Sequence, residues 1–111
     1  MAKEFTQKTR EGPNGWTVWQ VAGRIDVATS EATYAQGEKI VKENEKTVLD
    51  MSELEYISSA GLRVILRINK LAKKLGHEFT VMGAKGMVES VLVDSSMDVL
   101  LDAKESLDEL S

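Results

Sequence analysis

The chain has 111 residues, 42% hydrophobic and 29% charged, with a formal net charge of −4; this is the make-up of one ordinary globular domain, residues 1–111, with enough apolar material for a core. The absence of cysteine excludes disulfides and thiolate metal sites, no apolar run approaches the roughly 18 residues that cross a bilayer, and Met1-Ala2-Lys3-Glu4-Phe5 lacks a signal-peptide core. The acidic balance argues against direct nucleic-acid binding by the whole surface, so the expectation is a cytoplasmic protein without a membrane span.

Lys3 to Thr9 alternates polar residues around Phe5 and predicts a short strand. It ends at Gly12-Pro13-Asn14-Gly15, a turn cluster. Trp16 to Ala22 is rich in aromatic and β-branched residues and predicts a second strand, so the two form a hairpin. Both tryptophans read as strand packing. Gly23-Arg24-Ile25-Asp26 follows, then Thr29-Ser30-Glu31, where an N-cap hydroxyl precedes an acidic first turn. A helix with a narrow apolar stripe (Ala32, Ala35, Ile40, Val41) is expected from there to about Glu43.

Glu43 to Lys46 is a loop, and Thr47 to Met51 is a buried strand ending near Asp50, whose carboxylate reads as a strand-end structural group. The loop Ser52 to Glu55 leads into Tyr56-Ile57-Ser58-Ser59-Ala60-Gly61-Leu62-Arg63, where apolar residues give way to the longest helical pattern in the chain. Either serine can cap that helix. With Ser58 as the cap, Ile57 and Leu62 take the spacing of a hydrophobic staple, and Ser59 becomes the first helical residue with its hydroxyl spare among exposed amides that suit a phosphate.

The helix runs from Ser59 to Leu75 and stops at Gly76 after the basic pair Lys73-Lys74. Leu62, Val64, Ile65, Ile68, Leu71, Ala72 and Leu75 share one broad side, while Arg63, Arg67, Lys70 and Lys74 form a stripe on the other. Residues 59–75 hold five of the chain's 14 basic side chains and no acid, leaving −9 on the remainder. The stripe is either a solvated face or the complement of an acidic partner.

His77 to Met82 alternates with period two as a strand closed by Gly83. Lys85 to Asp94 is a helix, Val99-Leu100-Leu101 a short buried strand, and Ala103 to Leu110 a terminal helical turn or two. The predicted order is β-β-α-β-α-β-α-β-α, an α/β fold with a mixed, largely parallel sheet packed with helices.

Val48-Leu49-Asp50-Met51-Ser52, followed by Tyr56-Ile57-Ser58-Ser59-Ala60-Gly61-Leu62, resembles the signature of STAS domains, and specifically of the bacterial anti-sigma factor antagonists. The Gly23-Arg24-Ile25-Asp26 turn, the length and the element order fit the same family. The resemblance implies the STAS fold and a partner switch. The unphosphorylated protein binds an ATP-dependent serine kinase that is also an anti-sigma factor, phosphorylation releases it, and a PP2C-type phosphatase restores it. No cofactor or metal is implied.

By position the phosphorylated residue is Ser59, with Ser58 the alternative acceptor, and Asp26, Ser58, Ser59, Gly61, Leu62 and Arg63 mark the partner site. Asp26 is equally a turn-fixing residue through local hydrogen bonds. Where the family often has Asp-Ser-Ser-Gly, Ser58 here stands for the Asp and Ala60 for the second Ser, so the cap is kept without its charge. Arg63, four residues beyond Ser59, is placed to pair with a phosphate.

Two other classes compete. A serine hydrolase needs a base beside Ser59, but the only histidine, His77, lies beyond the far end of a 17-residue helix, about 25 Å away, and Gly-x-Ser-x-Gly and Walker patterns are absent. Gly83-Ala84-Lys85-Gly86 is a weak anion-binding signal. The remaining alternative is a non-switching STAS subunit of a transporter, lipid-trafficking or stress-sensing complex.

Overall fold

The computed structural model describes residues 3–111. Its strands are β1 (Thr6–Glu11), β2 (Thr17–Ile25), β3 (Lys46–Asp50), β4 (Leu54–Ile57) and β5 (Glu78–Met82). Its helices are α1 (Ser30–Glu43), α2 (Ser59–Leu75), α3 (Gly86–Asp94) and α4 (Met97–Leu100), with single 3-10 turns at Pro13–Gly15 and Leu107–Glu109. The sheet runs β1-β2-β3-β5, with β4 paired to β2. Among the described residues only the β1–β2 hairpin is antiparallel; β2–β3, β2–β4 and β3–β5 are parallel.

The nine-residue β2 organises the sheet. Its first half lies beside β3, with Val18 opposite Val48, and its last residues lie beside β4, with Ile25 opposite Ile57. The pairing shifts register between Gly23 and Arg24. Gly23 adopts φ +90, and a Cβ there would stand 3.0 Å from the backbone of Glu4, so only glycine lets the N-terminal segment pass over the strand at this point.

Period two places apolar residues of β2 on both faces of the sheet. Trp19, Val21 and Ile25 enter the main core with Ile40 and Val41 of α1 and Ile65, Ile68 and Ala72 of α2. Trp16 and Val18 belong to a smaller core with Val48, Met82 and Leu110. The final segment, residues 101–111, therefore acts as the cover for the face that α1 and α2 leave bare. Asn14 Nδ2 donates to Leu110 O at 3.0 Å and Trp16 Nε1 donates to Ser111 O at 3.1 Å, fastening that cover to the hairpin turn.

Helix α2 has the predicted bounds. Gly76 takes the left-handed conformation at φ 74, and bonds from Gly76 N–H to Lys73 O and from His77 N–H to Ala72 O close it as a Schellman motif. Arg63, Arg67, Lys70 and Lys74 are exposed as predicted. Leu75, expected on the apolar side, is 42% exposed because the last turn runs past the core.

The observed order is β-β-α-β-β-α-β-α-α, so the mostly parallel α/β sheet stands and two elements differ from expectation. Leu54–Ile57, read as a loop running into the serine pair, is the short strand β4, with Leu54 and Ile57 buried. Val99-Leu100-Leu101 is not a strand. The turn of α4 runs over Met97–Leu100, burying Met97 and Leu101 four residues apart while Val99 is 78% exposed. Helical spacing, hidden in a short apolar run, decides that segment. Of residues 103–110, expected to form a terminal helical turn or two, Leu107–Glu109 form a single 3-10 turn, and the first strand runs Thr6–Glu11 rather than Lys3–Thr9.

Candidate functional site

The N-terminus of α2 lies beside the loop that follows β2, because β2 and β4 end side by side. Ser58 N–H donates to Ile25 O at 2.9 Å, which ties the two loops together. Ser58 is the N-cap: its backbone is extended, at φ −94 and ψ 176, and its Oγ accepts from Gly61 N–H at 3.2 Å. The cap choice made on staple spacing agrees, and Ile57 and Leu62 both pack into the main core.

Ser59 is the first residue of α2 and is exposed. Among the described residues its hydroxyl has no hydrogen-bond partner. Gly61 is buried beneath it, where a Cβ would lie 2.7 Å from Ile57 Cγ1 and 2.8 Å from Ile25 O. Any side chain there would lift the first turn of the helix away from β2. Leu62 is half-buried, whereas Arg63, one turn on from Ser59, is exposed and joins no ion pair among the described residues.

Asp26 turns inward on its own loop. Its Oδ1 accepts from Ala28 N–H at 3.0 Å and Thr29 N–H at 3.3 Å, and its Oδ2 lies 3.6 Å from Arg24 Nε. Of the two roles open to it, the geometry displays turn fixing, with its oxygens engaged locally. Thr29, expected to cap α1 with its hydroxyl, instead donates to Arg24 O at 2.8 Å, while the Asp26 carbonyl receives Ser30 N–H. The loop is thus braced from both ends, and it holds Val27 out at 80% exposure.

Two neighbours escaped the sequence reading. The Arg24 guanidinium stacks 4.1 Å from the centre of the Tyr56 ring, linking β2 to β4 just below the serines. Along the basic stripe, Arg67 stacks 3.9 Å from the Tyr34 ring on α1, so that charge is spoken for within the molecule. Only the cross-strand pairing of Arg24 with Tyr56, invisible until β4 is placed, could have signalled the first contact.

The other candidates lie elsewhere. Asp50 is buried at the end of β3, with its carboxylate receiving Ser52 N–H at 2.9 Å and Gln20 Nε2 at 3.2 Å, a structural arrangement. His77 follows the opposite end of α2, with Nδ1 2.7 Å from Val41 O. It is not near Ser59. Glu53, half-exposed in the β3–β4 loop, is held below the usual carboxylate range, chiefly by its hydrogen bond with Lys3 and then by that ammonium's charge.

Replacing Ser58 by alanine should cost about 0.5–2 kcal/mol of stability, the usual range for a lost N-cap, since Gly61 N–H loses its acceptor. Urea unfolding at unchanged slope is the measurement. An unchanged midpoint would mean that Ser59 takes over the cap.

Comparison with known proteins places these features in context. The STAS domain family model matches residues 7–110. BtrV of Bordetella bronchiseptica, described as a candidate anti-sigma factor antagonist, is 31% identical over 84 residues, covering 75% of this chain and 72% of BtrV. An anti-sigma factor antagonist from Mycobacterium paratuberculosis superposes with a TM-score of 0.84 at 23% identity, over 96% of this chain and 90% of its own. The phosphorylated form of SpoIIAA, a Bacillus cell-fate determinant, superposes with a TM-score of 0.69 at 11% identity, over 94% of this chain and 95% of its own. No helix among the described residues is long and apolar enough to cross a membrane.

Proposed function

Because the chain belongs to the STAS domain family, among the anti-sigma factor antagonists, we propose that it is the phosphorylation-controlled member of a partner switch. In its unphosphorylated form it binds a serine kinase that doubles as an anti-sigma factor, which frees the sigma factor. Phosphate on Ser59 releases it, and a PP2C-type phosphatase resets it. The protein catalyses nothing itself; it is substrate and ligand in turn.

The observation that carries this reading is the disposition of the two serines. Ser58 is consumed by capping, and Ser59 stands exposed at the head of α2 with a free hydroxyl. The donors unfilled at a helix start and the positive end of its dipole favour an anion there, and Arg63 offers a cation one turn away. The existence of a phosphorylated form of SpoIIAA, on the same fold, supports it. Asp26, Gly61 and Leu62 shape the rim: the first by bracing its loop, the second by letting α2 settle on β2, the third by anchoring the first turn.

Incubation with ATP and the serine kinase encoded nearest to the chain, followed by mass spectrometry, tests the proposal. Phosphate is expected on Ser59 and should be lost in Ser59→Ala, which leaves circular dichroism unchanged. Modification confined to Ser58 would transfer the role to that residue, and no modification of either serine would remove the switch.

A further inference from the structure

A cleft of about 320 Å³ opens at the free edge of β5, on the side of the molecule away from the serines, between the last turns of α2 and the covering segment. Three polar groups there are left over. In a β-strand successive residues point their backbone groups to opposite sides. Glu78 N–H donates to Glu45 O and Met82 O receives Met51 N–H, so the even-numbered residues of β5 face β3. Phe79 therefore turns its N–H and C=O outward, and among the described residues neither has a partner. Phe79 is only 9% exposed and lines the cleft.

The third group is the amide of Asn69. This residue sits on the buried side of α2, is 4% exposed, lines the same cleft, and hydrogen-bonds nothing among the described residues. Among the described residues the one fully enclosed side-chain polar atom without a partner is Thr47 Oγ1, so the unpaired Asn69 amide is open to the cleft rather than sealed in the core. One turn farther along, Lys73 also lines the cleft and belongs to no ion pair among the described residues.

The chain itself demonstrates what this edge accepts. Immediately beyond Phe79, Lys104 N–H donates to Val81 O at 2.9 Å and Gly83 N–H donates to Lys104 O at 3.2 Å, a one-residue parallel bridge. The covering segment touches β5 as an added strand there and leaves the Phe79 position vacant. We propose that this vacancy is a docking site for an extended peptide segment of a partner, which adds to β5 through Phe79 and is clamped by the Asn69 amide.

The chemistry selects that occupant. A donor and an acceptor on one strand residue match an extended backbone, the recognition mode of strand addition. The charges around the cleft include both signs, Lys73 and Lys104 against Glu78, Asp102 and Glu109, so net charge does not define the ligand. Recognition through the main chain follows, with Trp16 and Leu101 offering apolar room for side chains. The site is separate from Ser59 and does not depend on the partner switch.

The test uses the full ¹⁵N-labelled chain and a capped pentapeptide of alternating threonine and valine, beside the same peptide N-methylated on its central amide. The unmodified peptide should shift the Phe79 backbone amide and the Asn69 side-chain amide. The methylated peptide and the Asn69→Ala variant should each bind roughly five- to tenfold more weakly, as for one lost hydrogen bond. Should Asn69→Ala fail to fold, Asn69→Asp keeps the shape and removes the donor. No shift at Phe79 or Asn69 at millimolar peptide overturns the proposal. So does equal binding of the methylated peptide, which would assign the cleft to side chains or a small molecule, and so does a response confined to β1, the other sheet edge.

Discussion

Phosphate on Ser59 should weaken binding to the kinase partner roughly a thousandfold. A phosphoserine carries about −1.5 to −2 charge at neutral pH. One unfavourable pair of unit charges near 4 Å, at the effective dielectric of about 20 found in protein surroundings, is worth about 4 kcal/mol. At tenfold per 1.4 kcal/mol, that single repulsion accounts for the loss. Ser59→Asp should lose less, because its one charge sits on a shorter side chain, and Ser59→Ala should bind as the unmodified protein does. Titration calorimetry of the four forms against the partner decides it. Equal affinity for the phosphorylated and unphosphorylated proteins would sink the partner-switch reading, and so would a complex in which Ser59 lies outside the contact surface.

Trp19→Ala should be the most damaging single truncation in the core. The ring is fully buried, and its edge meets α1 so closely that a Cβ on Gly37 would stand 2.6 Å from Cη2. Its Nε1 donates to Gln7 Oε1 at 3.0 Å, which fastens the edge strand β1. Losing a core Trp costs about 3–5 kcal/mol, out of the 5–15 kcal/mol that holds a typical domain together. For a chain of this size that corresponds to a fall in melting temperature on the order of 15 °C or more. Trp16→Ala, in the smaller core beneath the covering segment, should cost less. A loss below about 1 kcal/mol for Trp19→Ala would mean that α1 can close onto the vacated space.

How far the sequence foretold these features depended on whether the governing interaction is local. Both ends of α2 were legible because a cap serine and a stop glycine act within one turn of the residues they serve. The exposed basic stripe followed from the same periodicity. The strand β4 was not legible: it spans four residues and is a strand only because the far end of β2 lies beside it. Val99 to Leu101 misled because a short apolar run fits a buried strand as well as one helical turn. Thr29 followed the N-cap rule in position but not in bonding, since its hydroxyl is already engaged, donating to Arg24 O and accepting from Asp26 N–H.

At the candidate site the division is similar. The capping role of Ser58 could be read from staple spacing, whereas the Arg24–Tyr56 stack required the fold. Asn69 falls within the apolar side of α2, a polar residue among Leu62, Ile65 and Ala72, and what it faces depends on what the covering segment and β5 leave open.

The seating of α2 on β2 has a wider consequence. Gly61 leaves no slack above Ile25, and Ser58 is stitched to that same residue's carbonyl, so a mark written on Ser59 has no lever with which to reshape the interior. Marked and unmarked molecules should superpose almost atom for atom. On the proposed switch, the message would exist only as a local change of charge, legible to whichever protein touches that spot and silent everywhere else on the surface.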